Sequence, residues 1–156
     1  MSVFSWPVKR AFVTCIATLA AVIGFAAPAH AWAVDIYSQS STLGGGGGEV
    51  WGSGTFTDRD SFTYAMSVKD RCPGDGLGVA FYFEMKLAGA SYSSISQVFG
   101  VNRYGCEVQT VSASGKVNRQ SDMIKMRALL CYTNGADSCA FVNDDGFSVW
   151  KINPNV

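Results

Sequence analysis

The sequence predicts an all-β fold: a two-sheet antiparallel β-sandwich of about eight strands, stapled by two disulfides. Three observations predict it. Apolar and polar residues alternate with period two over several long stretches, the pattern of strands with one buried face. Clusters of Gly, Asn, Asp and Ser interrupt these stretches, and no amphipathic run of three helical turns lies between them. Four cysteines follow residue 31, an even number in a small chain.

The first residues read as an address. Lys9 and Arg10 close a short basic region, and the uncharged run AFVTCIATLAAVIGFAA, which contains Cys15, follows. PAHAWA then places small residues at the spacing a signal peptidase reads. Residues 1–31 are therefore expected to be a secretory signal peptide, cleaved after Ala31, with Ala33 as the alternative. An uncleaved anchor is disfavoured because the apolar run is shorter than the ~20 residues of a membrane span. Removal leaves 125 residues, one domain of ordinary size, with 10 basic and 12 acidic groups. A net charge of −2 supplies no basic field, so neither nucleic acid nor a membrane surface is an expected partner.

Residues 32–48 read as an N-terminal segment, with VDIY as an edge strand before a flexible Gly-rich loop. The five glycines 44–48 end in Glu49 and Val50, not in Lys and Ser or Thr, so they form no phosphate-binding loop. Residues 49–156 then form the sandwich domain, beginning with a strand at 49–56. In SFTYAMSVK, Phe62, Tyr64, Met66 and Val68 share a face. In LGVAFYFEMK, Val79, Phe81, Phe83 and Met85 point inward and Tyr82, Glu84 and Lys86 outward. The intervening KDRCPGDGLGV reads as the end of a hairpin held by a disulfide from Cys72. In MIKMRALLCY, Ile124, Met126, Ala128, Leu130 and Tyr132 are opposed by Met123, Lys125, Arg127, Leu129 and Cys131; a short helix is the alternative. Shorter strands are expected at 94–102, 105–112, 139–143 and 147–152, separated by RYG, ASGK, TNGADS and NDDG.

Four cysteines allow three connectivities. CYTNGADSC has the look of a strand end, an Asn-Gly turn and a strand start, which favours Cys131–Cys139 and leaves Cys72–Cys106. Loop closure assigns these bridges about 2.5 and about 4 kcal/mol, a large share of the ~5–15 kcal/mol that holds such a domain together. No C-x-x-C is present, so a zinc site is not expected.

The residue inventory narrows the chemistry. The single histidine, His30, falls within the expected signal peptide. A mature chain without histidine lacks the usual base of a Ser or Cys nucleophile and the usual zinc or copper ligand. Asp70 and Asp75, or Asn143, Asp144 and Asp145, could hold calcium at one end of the fold, although neither group has EF-hand spacing. Carboxylate catalysis would draw on Glu49, Glu84 and Glu107, but the loops are short for a sugar cleft. No catalytic residue, metal or cofactor is expected.

The whole region after residue 31 resembles small exported β-sandwich proteins of Gram-positive bacteria that lack an assigned activity. SVKDRCPGDG, YGCEV and LLCYTNGADSC carry that resemblance. From Leu130 to Ile152 the chain is also similar to the apoproteins of the enediyne chromoprotein antibiotics, exported sandwiches with two disulfides. That resemblance implies a short loop closed by a disulfide near the C-terminus. The first cysteine pair is wider here than in those apoproteins, and no binding residue is carried across.

The expected function is that of a secreted, non-enzymatic binding or interaction module for an extracellular polymer or protein. The alternative is a secreted inhibitor or toxin-like effector acting through a disulfide-tied loop, with a small glycoside hydrolase third. Tyr82, together with Trp51 or Trp150, is the expected shallow binding face, because exposed rings supply contact area at small entropic cost. Tyr92 and Tyr104 are further surface candidates.

Overall fold

The described residues form nine strands and no helix. The structure is a computed structural model that describes residues 30–39, 46–71, 76–133, 139 and 146–156. The strands are β1 (Ala31–Gln39), β2 (Gly47–Phe56), β3 (Ser61–Arg71), β4 (Gly78–Leu87), β5 (Ser94–Ile95), β6 (Phe99–Asn102), β7 (Thr110–Asn118), β8 (Met123–Thr133) and β9 (Lys151–Ile152). They build two antiparallel sheets. The first has the order β1-β2-β3-β7, and the second β5-β4-β8-β9 with β6 also paired to β4.

Period two accounts for the core. Phe62, Tyr64, Met66 and Val68 of β3 are buried in one cluster with Val79, Phe81, Phe83 and Met85 of β4. Met126, Ala128, Leu130 and Tyr132 of β8 join them. The rings meet edge-on: Phe62 and Phe83 lie 4.9 Å apart at 81°, and Phe81 and Phe83 5.5 Å apart at 77°. Such pairs contribute roughly 0.5–1.5 kcal/mol beyond the area they bury.

The N-terminal strand is integral to the first sheet. β1 pairs with β2 in register from Ala31↔Thr55 to Gln39↔Gly47, and buries Trp32, Val34, Ile36 and Ser38 on alternate positions. Trp32 packs on Phe62 and Phe83 at 5.8 and 6.1 Å. Its indole fits because position 54 is glycine; a Cβ there would lie 2.2 Å from Trp32 Cζ2. Gly47 and Gly48, expected in a loop, are strand residues of β2. A Cβ on Gly48 would meet Val79 Cγ1 at 2.6 Å, so this glycine lets the two sheets approach. The other glycines of the run before Gly46, and the expected signal peptide up to residue 29, lie outside the described residues.

Several expectations are corrected. β3 and β4 belong to different sheets, so 69–79 joins the sheets and does not close a hairpin. The two apolar faces meet across the core instead of lying side by side. The expected strand 94–102 breaks at Ser96, which bonds Phe83 N–H through its hydroxyl (2.9 Å) and Phe83 O through its own N–H (2.8 Å). The strand expected at 105–112 begins only at Thr110. ASGK, read as a turn, runs inside β7, where it pairs with Thr63–Met66 of β3. In β8 a register shift sets Lys86 opposite Lys125 but Leu87 opposite Met123. That extra residue buries Met123 and exposes Ile124, the reverse of strict alternation. The helical alternative for this segment does not form.

Cys131 and Cys139 are joined by a disulfide with Cα atoms 5.5 Å apart, the pairing the sequence favours. Cys106 is also disulfide-bonded. Cys72, its expected partner, lies outside the described residues, as do Asp75, Asp144, Asp145 and all of 139–143 except Cys139.

Candidate functional site

The outward face of the second sheet carries long side chains. Glu84 of β4 lies opposite Arg127 of β8, and Lys86 lies opposite Lys125. Arg127 donates from Nε to Glu84 Oε2 at 2.6 Å. Its guanidinium stands 4.5 Å from the Phe147 ring centroid and 4.8 Å from that of Trp150, and Lys125 Nζ sits 4.5 Å from Trp150. The result is a ladder of anion, cation and ring in which Arg127 has three neighbours. A cation over a ring contributes roughly 0.5–1 kcal/mol at an exposed site, and here it also fixes the orientation of both rings.

The C-terminal segment reaches this place by pairing along β8. Leu130 N–H bonds Gly146 O, Ser148 N–H bonds Ala128 O, and Asn153 N–H bonds Ile124 O. Phe147 bridges to Leu129, while Lys151 pairs with Met126. The segment therefore carries one residue more than β8 between those two pairings. Phe147 and Trp150 are three apart and would project to opposite sides of a regular strand. The extra residue turns Trp150 to the same side as Phe147, so both meet Arg127. Ser148 marks the irregularity, because its hydroxyl accepts Ala128 N–H at 3.0 Å.

Tyr82 belongs to the same face and pairs with Leu129. Its phenol is pushed up from the ordinary tyrosine range by burial first and by the Glu84 carboxylate second, with Arg127 opposing. Trp150 also borders a cavity of about 260 Å³ between the start of β1 and the C-terminal segment, with Trp32, Phe56 and Pro154.

Trp51 lies elsewhere. It pairs with Asp35 and Ser67 on the outward face of the first sheet, across the core from Tyr82 and Trp150. Its surroundings there are small: Ala33, Ser53, Ala65 and Ser114 form one row across the sheet, and Ser112 lies opposite Ser67. The three expected residues thus divide into a pair and an outlier. Tyr92 and Tyr104 are exposed on loops. Phe147 escaped notice in the sequence because only the irregular pairing brings it to Arg127. Lys125 and Arg127 were legible as outward residues, but not as partners of these rings.

The glutamates are committed to cations. Glu49 pairs with Arg71, which also holds Glu107 at 2.9 Å; Lys69 pairs with Glu107 as well. Hydrogen bonds from Lys69 and then Arg71 hold the Glu107 carboxyl below the usual range. Glu107 has a φ of +61°, and its N–H bonds Asp70 O at 2.8 Å, so the network ties the 103–109 loop to the end of β3. Asp70 is buried at that junction. No group of three or more His, Cys, Asp or Glu arranged to hold a metal occurs among the described residues.

The fold and this face define an all-β protein of two antiparallel sheets, one of which carries an outward layer of rings and cations. No protein-family model, curated protein or solved structure matches the chain.

Proposed function

We propose that this chain is an exported binding module, a β-sandwich stapled by Cys131–Cys139 and Cys72–Cys106, that engages an extracellular polymer or protein through the outward face of its second sheet. The observation that carries this reading is Arg127 held between Glu84, Phe147 and Trp150. Rings and cations fixed before binding lose little freedom on contact, which is the general route to affinity on a shallow surface. Phe147 stays 43% exposed despite its guanidinium partner, so ring surface remains for a ligand.

The reading supported by the geometry is non-enzymatic recognition, and it narrows the binding residues to Tyr82, Phe147 and Trp150 with Lys125 and Arg127. Trp51 is set aside by its position on the other sheet. The test is pull-down on insoluble polysaccharides together with a tryptophan-fluorescence titration against soluble glycans and secreted proteins. Trp150→Ala and Arg127→Met are expected to abolish retention while Trp51→Ala preserves it. Loss of retention with Trp51→Ala alone would move the site to the first sheet.

A further inference from the structure

The two sheets also leave an open seam on the opposite side, where β7 approaches β5 and β6. A cleft of about 210 Å³ lies there, floored by Phe99 and Val117 and walled by Gln97, Lys116, Asn118 and Arg119. Two cations and two amides line it, and no carboxylate does.

These cations differ from the arginines that line the two sheets. Arg59, Arg71 and Arg127 each hold a carboxylate. Among the described residues no carboxylate pairs with Lys116 or Arg119. Arg119 is nonetheless held in place. Its N–H bonds Asp60 O at 3.0 Å, and Nη2 reaches across the seam to Ile95 O at 2.6 Å. Its Nε is buried without an acceptor. The main chain is thus held by Asp60 and the guanidinium by the single Ile95 carbonyl, while its charge is left without a carboxylate partner, the arrangement of a group waiting for an anion.

We propose that this seam binds the carboxylate of a small organic acid about the size of a hexuronate. Lys116 and Arg119 take the carboxylate, the Gln97 and Asn118 amides are placed to bond hydroxyl groups, and Phe99 with Val117 receives the apolar face of the ring or stem. The volume lies below the roughly 300–1,000 Å³ of a drug-sized site, which limits the ligand to a single ring or a short acid. An edge-strand lysine such as Lys116 also serves to keep foreign strands away, a role indifferent to small acids.

The test is a calorimetric titration of the exported protein with glucuronate, glucose and sulfate at fixed ionic strength. Saturable binding of glucuronate is expected, with glucose weaker by roughly tenfold or more, the discrimination one charge-assisted contact gives. Lys116→Gln, an exposed substitution that leaves the fold intact, should weaken glucuronate roughly three- to tenfold, and Arg119→Lys should retain part of the affinity because charge survives without the planar fork. Chemical shifts of the Phe99 and Val117 amides should move on addition of glucuronate. Equal affinity for glucose, displacement by sulfate as effective as by glucuronate itself, or a Lys116→Gln protein with unchanged affinity overturns the proposal.

Discussion

The outward faces of the two sheets share one core and differ in nearly every other respect. The first sheet is regular: β1, β2, β3 and β7 pair in unbroken register, and small residues occupy most of its outward positions. The second sheet is interrupted at both margins. Ser96 and Ser148 each spend a hydroxyl on a neighbouring strand's N–H, and β8 shifts register beside Lys86 and Leu87. The irregular sheet is the one that gathers Tyr82, Arg127, Phe147 and Trp150. Regular pleating spaces side chains evenly and keeps alternate residues on opposite sides. Clustering unlike groups at odd spacings needs a break in that order.

The largest expected effects fall on neither face but on what both rest upon. Phe83→Ala should lower stability by about 3–5 kcal/mol, since Phe83 is fully buried against Trp32, Phe62, Tyr64 and Phe99. A chain truncated to begin at Val34 should lose a comparable amount, because it lacks Trp32. If the proposed signal peptide is removed on export, mass spectrometry should therefore find Trp32 as the first residue. A product starting at Val34 with an unchanged melting temperature would break the assignment of Trp32 to the shared core.

Removing the Cys131–Cys139 bridge by paired Ala substitutions should cost about 2.5 kcal/mol and act on one sheet. Amide exchange should quicken in 146–153 and β8 while β1 to β3 keep their protection. Uniform loosening of both sheets would show that they do not respond separately. Arg127→Met should cost about 1–3 kcal/mol of stability, the sum of an ion pair and two ring contacts, and make Trp150 markedly more accessible to iodide. Trp51 should be indifferent to that substitution.

The smallest effect belongs to the ion network at the end of the first sheet. Glu107 titrates lower in the folded chain than in the unfolded one, because Lys69 and Arg71 hydrogen-bond its ionised form. Its stabilisation is thus full above the ordinary glutamate range and is lost as pH falls through the lower folded value. The group is exposed, so the change is small and shrinks in salt. Melting curves of the protein and of Glu107→Gln should differ at neutral pH and converge in acid. Divergence that grows toward acid would reverse the assigned sign.

What the sequence made legible follows the same division. The inward residues of β3 and β4 read directly, because strict alternation describes a regular strand with one buried face. Tyr82, Glu84 and Lys86 were placed off the core by the same rule. The strand order did not read, since Phe62–Val68 and Val79–Met85 satisfy a hairpin and a pair of facing strands equally well. Met123 and Ile124 exchanged places, and Phe147 came beside Trp150, through single extra residues that leave no mark on hydrophobic periodicity. Gly115 and Lys116 looked like a turn, yet pairing with Tyr64 and Thr63 outweighs that local preference. Trp51 was grouped with Tyr82 by chemistry, whereas sheet membership is a matter of long-range pairing.

The interleaving of the two sheets along the chain bears on the order in which the protein can fold. β1, β2 and β3 pair as neighbours, but β3 waits for β7 and β4 waits for β8. A chain emerging N-terminus first can assemble its opening meander while Ser38 still lacks the Tyr132 hydroxyl and Gly48 the cover of Leu130. Pairings so distant in sequence slow folding, because the loop must close before contacts reward it. For a protein that we propose is threaded across a membrane, late locking keeps the polypeptide extensible during passage and commits it to its final form only when the last quarter arrives. Chains ending at Gln120 are expected to remain open to protease under conditions that protect the full-length protein.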